Sequence, residues 1–192
     1  MSKDICGDCT LCCKLPPIFK EKRDGSLDYE KPFKEFNEWC THCSTKKGCD
    51  IYDDRPDICK GFYCLYAQSK IENDPMDEAF YPKKAKFFVT IENEARFKER
   101  QISVYIDENR HYDIFTKSPY NTFFKRCMDN GWDIILNAGK KVYHYKKIGD
   151  RYAEFKFPEP FVFGKRNKAN PIPMEIVLVQ NINVFFFGLT NH

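Results

Sequence analysis

Nine of the ten cysteines in this 192-residue chain lie within its first 64 residues. They open as Cys6-x-x-Cys9-x-x-Cys12-Cys13 and continue through Cys40, Cys43, Cys49, Cys59 and Cys64. Thiols at that density constrain the fold more than any hydrophobic pattern, because they must be bridged, buried or ligated. Two cysteines separated by two residues let one turn present both sulfurs to the same ion, about 2.3 Å away if it is zinc. Metal binding is therefore the leading expectation. A disulfide framework competes with it, as in secreted miniproteins. However, the chain starts Met1-Ser2-Lys3-Asp4 without an apolar signal region, which predicts a reducing, cytoplasmic setting. Adjacent Cys12 and Cys13 also suit a bridged scaffold poorly. Buried free thiols are a third reading, and the repeated C-x-x-C spacing argues against it.

The longest apolar run, residues 62–67, is far shorter than the ~20 residues of a membrane span, so no membrane partner is expected. Aromatics are abundant, with 18 Phe, 11 Tyr and 2 Trp, enough for a real core. Charge is uneven. Residues 1–78 carry 12 Lys/Arg against 16 Asp/Glu, and residues 79–192 carry 19 against 12. The second half is thus able to meet an acidic partner or nucleic acid. Its cations are scattered in doublets such as Lys83-Lys84 and Lys146-Lys147, which reads more simply as a solvated surface.

Along the chain, residues 14–39 read as a polar connector with turn signals at Pro16-Pro17 and Asp24-Gly25. Asp53-Asp54-Arg55-Pro56 offers an acidic cap and a proline for a helix start. The stretch 57–68 carries Cys59 and Cys64, which on one helix would point about 140° apart, and Gly61 is positioned to break the turn between them. Asn73-Asp74-Pro75 marks a boundary. Downstream, residues 86–92 and 101–107 alternate as strands. Ser118-Pro119 opens an amphipathic helix through about Asn130, ended by Gly131 as a C′ glycine. Residues 132–136 and 141–146 predict two strands joined at 137–140, with a last strand at 175–179 and another at 184–187. The fold class expected is α+β: a cysteine-rich metal-binding module of short helices and loops over residues 1–78, then a small mixed α/β-type domain over 79–192.

Cys6, Cys9 and Cys12 match the C-x2-C-x2-C part of ferredoxin loops but lack the distal Cys-Pro. If residues 6–13 are helical, Cys6, Cys9 and Cys13 share one face and Cys12 points aside, so the four serve one site or divide between two. The run Cys6-Gly7-Asp8-Cys9-Thr10-Leu11-Cys12-Cys13, followed by Gly48-Cys49-Asp50-Ile51-Tyr52-Asp53-Asp54-Arg55-Pro56-Asp57-Ile58-Cys59-Lys60-Gly61-Phe62-Tyr63-Cys64, resembles the YkgJ-type cysteine-cluster family. That family is also described as the CxxCxxCC zinc- or iron-chelating domain, and a related pattern occurs in flagellin lysine methylases. The resemblance covers about a third of the chain, residues 6–66. It implies metal ligation by Cys6, Cys9, Cys12, Cys13, Cys40, Cys49, Cys59 and Cys64, enough for two four-sulfur sites or one cluster and a smaller site. Lys60 stands where the family has arginine, and Cys43 stands where an apolar residue is commoner. Cys43 and His42 therefore join the candidate ligands. Arg55 is expected either to offset thiolate charge or to pair with Asp53 and Asp54, and Ile51 and Tyr52 are expected to fill the small core.

The cofactor expected is zinc or iron, including an iron–sulfur cluster, with the CxxCxxC loop tilting toward iron. No nucleotide-binding loop or nucleophile elbow is present. His111 and His144 read as ordinary surface or core groups, and Cys127 as a thiol on the apolar face of its helix. Whether the protein is an enzyme is left open. Three functions follow: a metal or iron–sulfur protein whose centre is redox-active or binds a substrate such as a methyl donor, a zinc-stapled module that binds another protein, and, weakest, a nucleic-acid-binding zinc protein.

Overall fold

The structure is a computed structural model, described here for residues 5–22, 24, 27–45, 47–91, 100–156 and 175–177. It is a mixed α/β protein whose chain divides into two units after Thr90. In the first unit, β1 (Ile18–Glu21) and β2 (Leu27–Lys34) form an antiparallel hairpin within the segment expected to be a connector. The turn signal Asp24-Gly25 falls between the two strands. Their register slips on either side of Phe19, which faces Pro32. A proline cannot donate to a ladder, so a break there is the expected cost. β3 (Cys43–Ser44) and β4 (Gly48–Cys49) form a second, minimal hairpin.

The helix anticipated over 57–68 is two helices, α1 (Asp57–Lys60) and α2 (Leu65–Ile71). Gly61 caps the first, so the break lies where the sequence placed it. Its start differs from expectation: Pro56 is the N-cap and no side chain caps the helix, so Asp53 and Asp54 do not have that role. A 3-10 turn at Glu78–Phe80 leads to α3 (Pro82–Ala85) and then β5 (Phe87–Ile91). These late elements group with the cysteine segment because Tyr81 and Lys83 both bond Asp8.

The second unit contains β6 (Gln101–Ile106), α4 (Asp113–Thr116), α5 (Tyr120–Asp129), β7 (Asp133–Ala138), β8 (Lys141–Ile148), β9 (Arg151–Lys156) and β10 (Glu175–Val177). Its strands are ordered β10-β9-β8-β7-β6. Strands β6 and β7 are parallel, and the two helices supply the crossover that parallel pairing needs. β7, β8, β9 and β10 are each antiparallel to the next. The two-residue turns Gly139-Lys140 and Gly149-Asp150 carry glycine at φ 65° and 57° in the first position, as tight hairpins require. Strand β9 was not anticipated, although Gly149-Asp150 signals its turn. The expected strand at 184–187 lies outside the described residues.

Alternation decides the core. Ile102, Val104 and Ile106 of β6, Ile134, Leu136 and Ala138 of β7, and Tyr143 and Tyr145 of β8 are buried. So are Ile114 and Phe115 of α4 and Phe124 and Met128 of α5. The Phe115 and Tyr145 rings meet at 4.5 Å, which locates the helices on that face of the sheet. α5 ends as the sequence indicates: Gly131 (φ 77°) donates to Met128 O and Trp132 to Cys127 O, the paired bonds of a Schellman motif. Among the described residues no helix is long and apolar enough to cross a membrane.

Asp129, in the last turn of α5, accepts from Lys125 at 2.7 Å, Lys147 at 2.8 Å and the Tyr152 hydroxyl at 2.7 Å. Lys125 first, then Lys147, hold its carboxyl well below the usual range. A depressed carboxylate pKa stabilises the fold above the unfolded value near pH 4 and loses that contribution as pH falls further. Asp129→Asn is expected to cost about 1 kcal/mol at neutral pH, kept small by solvent screening, and to flatten the acid limb of the stability curve. Urea titrations at pH 7 and pH 3 test this; equal losses at both would exclude it.

Candidate functional site

The first CxxC loop is built by backbone. Cys9 N–H donates to Cys6 O at 3.1 Å, and Gly7 between them has φ 54°. A Cβ on Gly7 would also sit 3.2 Å from Tyr81 Oη, so the left-handed turn and the close approach both call for glycine. Tyr81 Oη donates to Cys6 O at 3.2 Å and to Asp8 at 2.8 Å, and Lys83 pairs with the other oxygen of Asp8. Residues 6–13 are not one helix as supposed. A turn carries Cys6 and Cys9, and a short 3-10 turn, Leu11–Cys13, carries the adjacent pair.

Cys40 is tied to this loop by its N–H, which donates to Cys13 O at 2.9 Å. Cys43 N–H in turn donates to Cys40 O at 3.0 Å, and Cys43 and Cys49 face each other across β3 and β4. Cys59 lies in α1 and Cys64 is the N-cap of α2. Five separate pieces of chain therefore deliver nine cysteines to one unit, and all ten cysteines of the protein are free thiols. Cys127 stays apart on α5 in the second unit, where burial raises its thiol to about 11.

The thiols act on one another as one connected set: Cys6 and Cys64 on Cys9, and Cys13, Cys40 and Cys49 on Cys43 and Cys59, with Cys13 acting on both Cys6 and Cys12. The Cys12 thiol donates to the Cys13 sulfur, which lowers the Cys13 pKa. Burial pushes Cys9 up to about 11 and also raises Cys6, Cys43, Cys49, Cys59 and Cys64. Neighbouring thiolates add to the rise, since like charges disfavour one another.

Two cations face the sulfurs. Arg55 lies with its guanidinium 3.6 Å over the Tyr52 ring, and its Nε donates to Tyr52 O at 2.7 Å. No described carboxylate is within ion-pair distance of it. Its charge favours the thiolates of Cys6, Cys13, Cys49 and Cys59. The second cation, Lys34, was not anticipated. It is 4% exposed, and its Nζ donates to the carbonyls of Lys14, Glu35 and Glu38 at 2.9–3.1 Å. Burial lowers its pKa to about 8, against the pull of Cys40 and Cys13. Lysine at the end of an irregular hairpin leaves no periodic signal, so sequence could not single it out. His42 is exposed and stacks on Phe33 at 6.4 Å.

Among the described residues, no three Cys, His, Asp or Glu side chains are set to hold an ion as they stand. The donor set itself fits a thiophilic ion: free thiols at high density. Buried thiols whose deprotonation is disfavoured become ligands when an ion displaces their protons. Neither a family model, a curated protein nor a solved structure matches this chain.

Proposed function

We propose that the first unit is a thiolate metal-binding module of the CxxCxxCC type, with Cys6, Cys9, Cys12, Cys13, Cys40, Cys49, Cys59 and Cys64 as ligands. The observation that carries this reading is the gathering of nine free thiols from five chain segments into one unit, with the charges of Lys34 and Arg55 acting on Cys13. Hydrophobic packing does not require such a set, and a disulfide scaffold would have bridged it. The ion would be zinc or iron, including an iron–sulfur cluster, because soft thiolates select these over hard cations. When bound, it would supply either a structural cross-link or a redox or Lewis-acid centre. Arg55 and Lys34 would offset the roughly −2 charge that each four-thiolate site carries with Zn²⁺ or a [4Fe–4S]²⁺ cluster. Tyr81, through Cys6 O and Asp8, would hold the first loop in its turn.

Cys43 brings the thiols of this unit to nine, one more than two tetrahedral sites use. Of the family-pattern cysteines and Cys43, the one left over would be free to exchange or to receive a substrate. Purification without air, followed by elemental analysis and a visible spectrum, tests the proposal. One or two ions per chain are expected, colourless if zinc and coloured if iron–sulfur. Cys127→Ser should leave the metal content unchanged, whereas Cys9→Ser or Cys59→Ser should lower it. Protein that carries no metal under these conditions would end the proposal.

A further inference from the structure

The thiol module leaves the basic half of the chain without a task, and there one cavity collects cations. A hollow of about 580 Å³ in the second unit is lined by Arg100, Lys146 and Lys147, with Asp133 as the one carboxylate in its wall. It opens where β7 begins and β8 ends, beside Arg100, whose carbonyl accepts from Asp133 N–H at 2.9 Å. The sheet register explains the grouping. Ile134 pairs with Tyr145, so Asp133 and Lys146 lie across from each other at that end of the strands.

Three cations meet one carboxylate in this wall, so positive charge is in excess. The Asp133 carboxylate offsets part of it and is also bonded to His144 Nε2 at 2.7 Å. The Arg100 guanidinium lies 5.9 Å from the Trp132 ring centre, and the Lys146 ammonium lies 5.6 Å from that of Phe155. Ring faces position a cation without neutralising it. Among the described residues neither Arg100 nor Lys146 has a carboxylate within ion-pair distance; Lys147 shares its charge with Asp129 at 2.8 Å. The C-terminal end of α5 borders the hollow, and its dipole alone would repel an anion. There, however, Arg126 O, Cys127 O and Met128 O all accept hydrogen bonds from residues 130–132. A Cβ on Gly131 would meet nothing within 4 Å, so the space beside that end is open.

We propose that this cavity binds a small phosphate-bearing molecule, with Arg100 and Lys146 taking the phosphoryl oxygens. A guanidinium fork beside a compact ammonium suits a tetrahedral dianion. The hollow is shallow and open to solvent, and wider than a bare phosphate, which leaves room for an organic part beside the phosphoryl group. Ile148, 52% exposed at the rim, offers the organic part an apolar wall.

Glycerol 3-phosphate titrated into the full chain, followed by calorimetry and by the Trp132 indole resonance, tests this. Saturable binding that shifts the Trp132 signal is expected. Arg100→Gln and Lys146→Gln should each weaken it about tenfold or more, the loss of one charge-assisted bond. Lys140→Gln, which removes the same charge from an exposed turn, should change it less than twofold. Thermal melts matched to the parent protein would show that the variants fold. No saturation at millimolar ligand would overturn the proposal, as would equal weakening by Lys140→Gln. Binding of a single-stranded DNA oligonucleotide but not of glycerol 3-phosphate would also overturn it and point to a nucleic-acid surface.

Discussion

Stripping the metal from the proposed thiolate sites is expected to unfold the first unit and leave the second intact. Among the described residues from 5 to 64, Leu15 is the only fully buried apolar side chain. The other core groups of that unit, Tyr66, Ala67, Phe80, Ala85, Phe87, Phe88 and Val89, all come after the last clustered cysteine. One buried leucine contributes about 2 kcal/mol, whereas fixing each backbone residue costs roughly 1–2 kcal/mol. A segment of that length cannot hold itself by burial. Structural thiolate sites supply about 10 kcal/mol or more, and that energy counts as folding energy because the site does not exist in the unfolded chain. Chelation, or Cys9→Ser combined with Cys59→Ser, should therefore expose residues 5–64 to protease. A protected fragment beginning near residue 90 should survive. If the metal-free protein resists protease across the cysteine segment as well as the loaded protein does, the ion is not structural there.

The second large effect is expected at Phe124→Ala. Its ring is 0% exposed on α5, stands edge-on to Phe123 at 5.1 Å, and belongs to the helix layer over β7 and β8. Truncation removes a whole aromatic ring from a layer closed by Ile114, Phe115, Met128 and Leu136. The expected loss is about 3–5 kcal/mol, transfer and cavity terms together, a large share of the 5–15 kcal/mol a domain possesses. Phe123→Ala, at a half-buried position on the same helix, should cost less than half as much. Denaturant titrations following the second unit, with metal content assayed alongside, measure both. A loss under about 1 kcal/mol at Phe124, where an aromatic truncation should leave a cavity, would mean the layer collapses onto the gap. A fall in metal content would mean that the thiol module depends on this core.

The regularly patterned parts of the second unit were legible because each carries its own local signal. The alternation of residues 101–106, the helical spacing of 120–129 and the glycine at 131 specify strand, helix and stop without reference to the rest of the chain. Gly61 likewise marks the break between α1 and α2. The β1–β2 hairpin was not legible: charged residues and Pro32 hide a two-strand period, and its register is irregular where Phe19 faces that proline. The cysteines declared themselves as a set by spacing, but spacing does not say which sulfurs share a neighbourhood. Cys13 acts on Cys43, Cys49 and Cys59 from far along the chain as well as on its neighbour Cys12, which spacing does not signal.

By itself, then, the sequence determined that the first unit is dense in thiols, and it determined the regularly patterned elements of the second, since both are written in residue identity and short-range period. Tertiary structure alone decided which thiols act on one another and that Lys34 is a buried ammonium held by three carbonyls. It alone also brought Arg100, Lys146 and Lys147 to one cavity. These are electrostatic facts about groups distant in sequence, and only the folded chain fixes how near such charges stand and how much water lies between them.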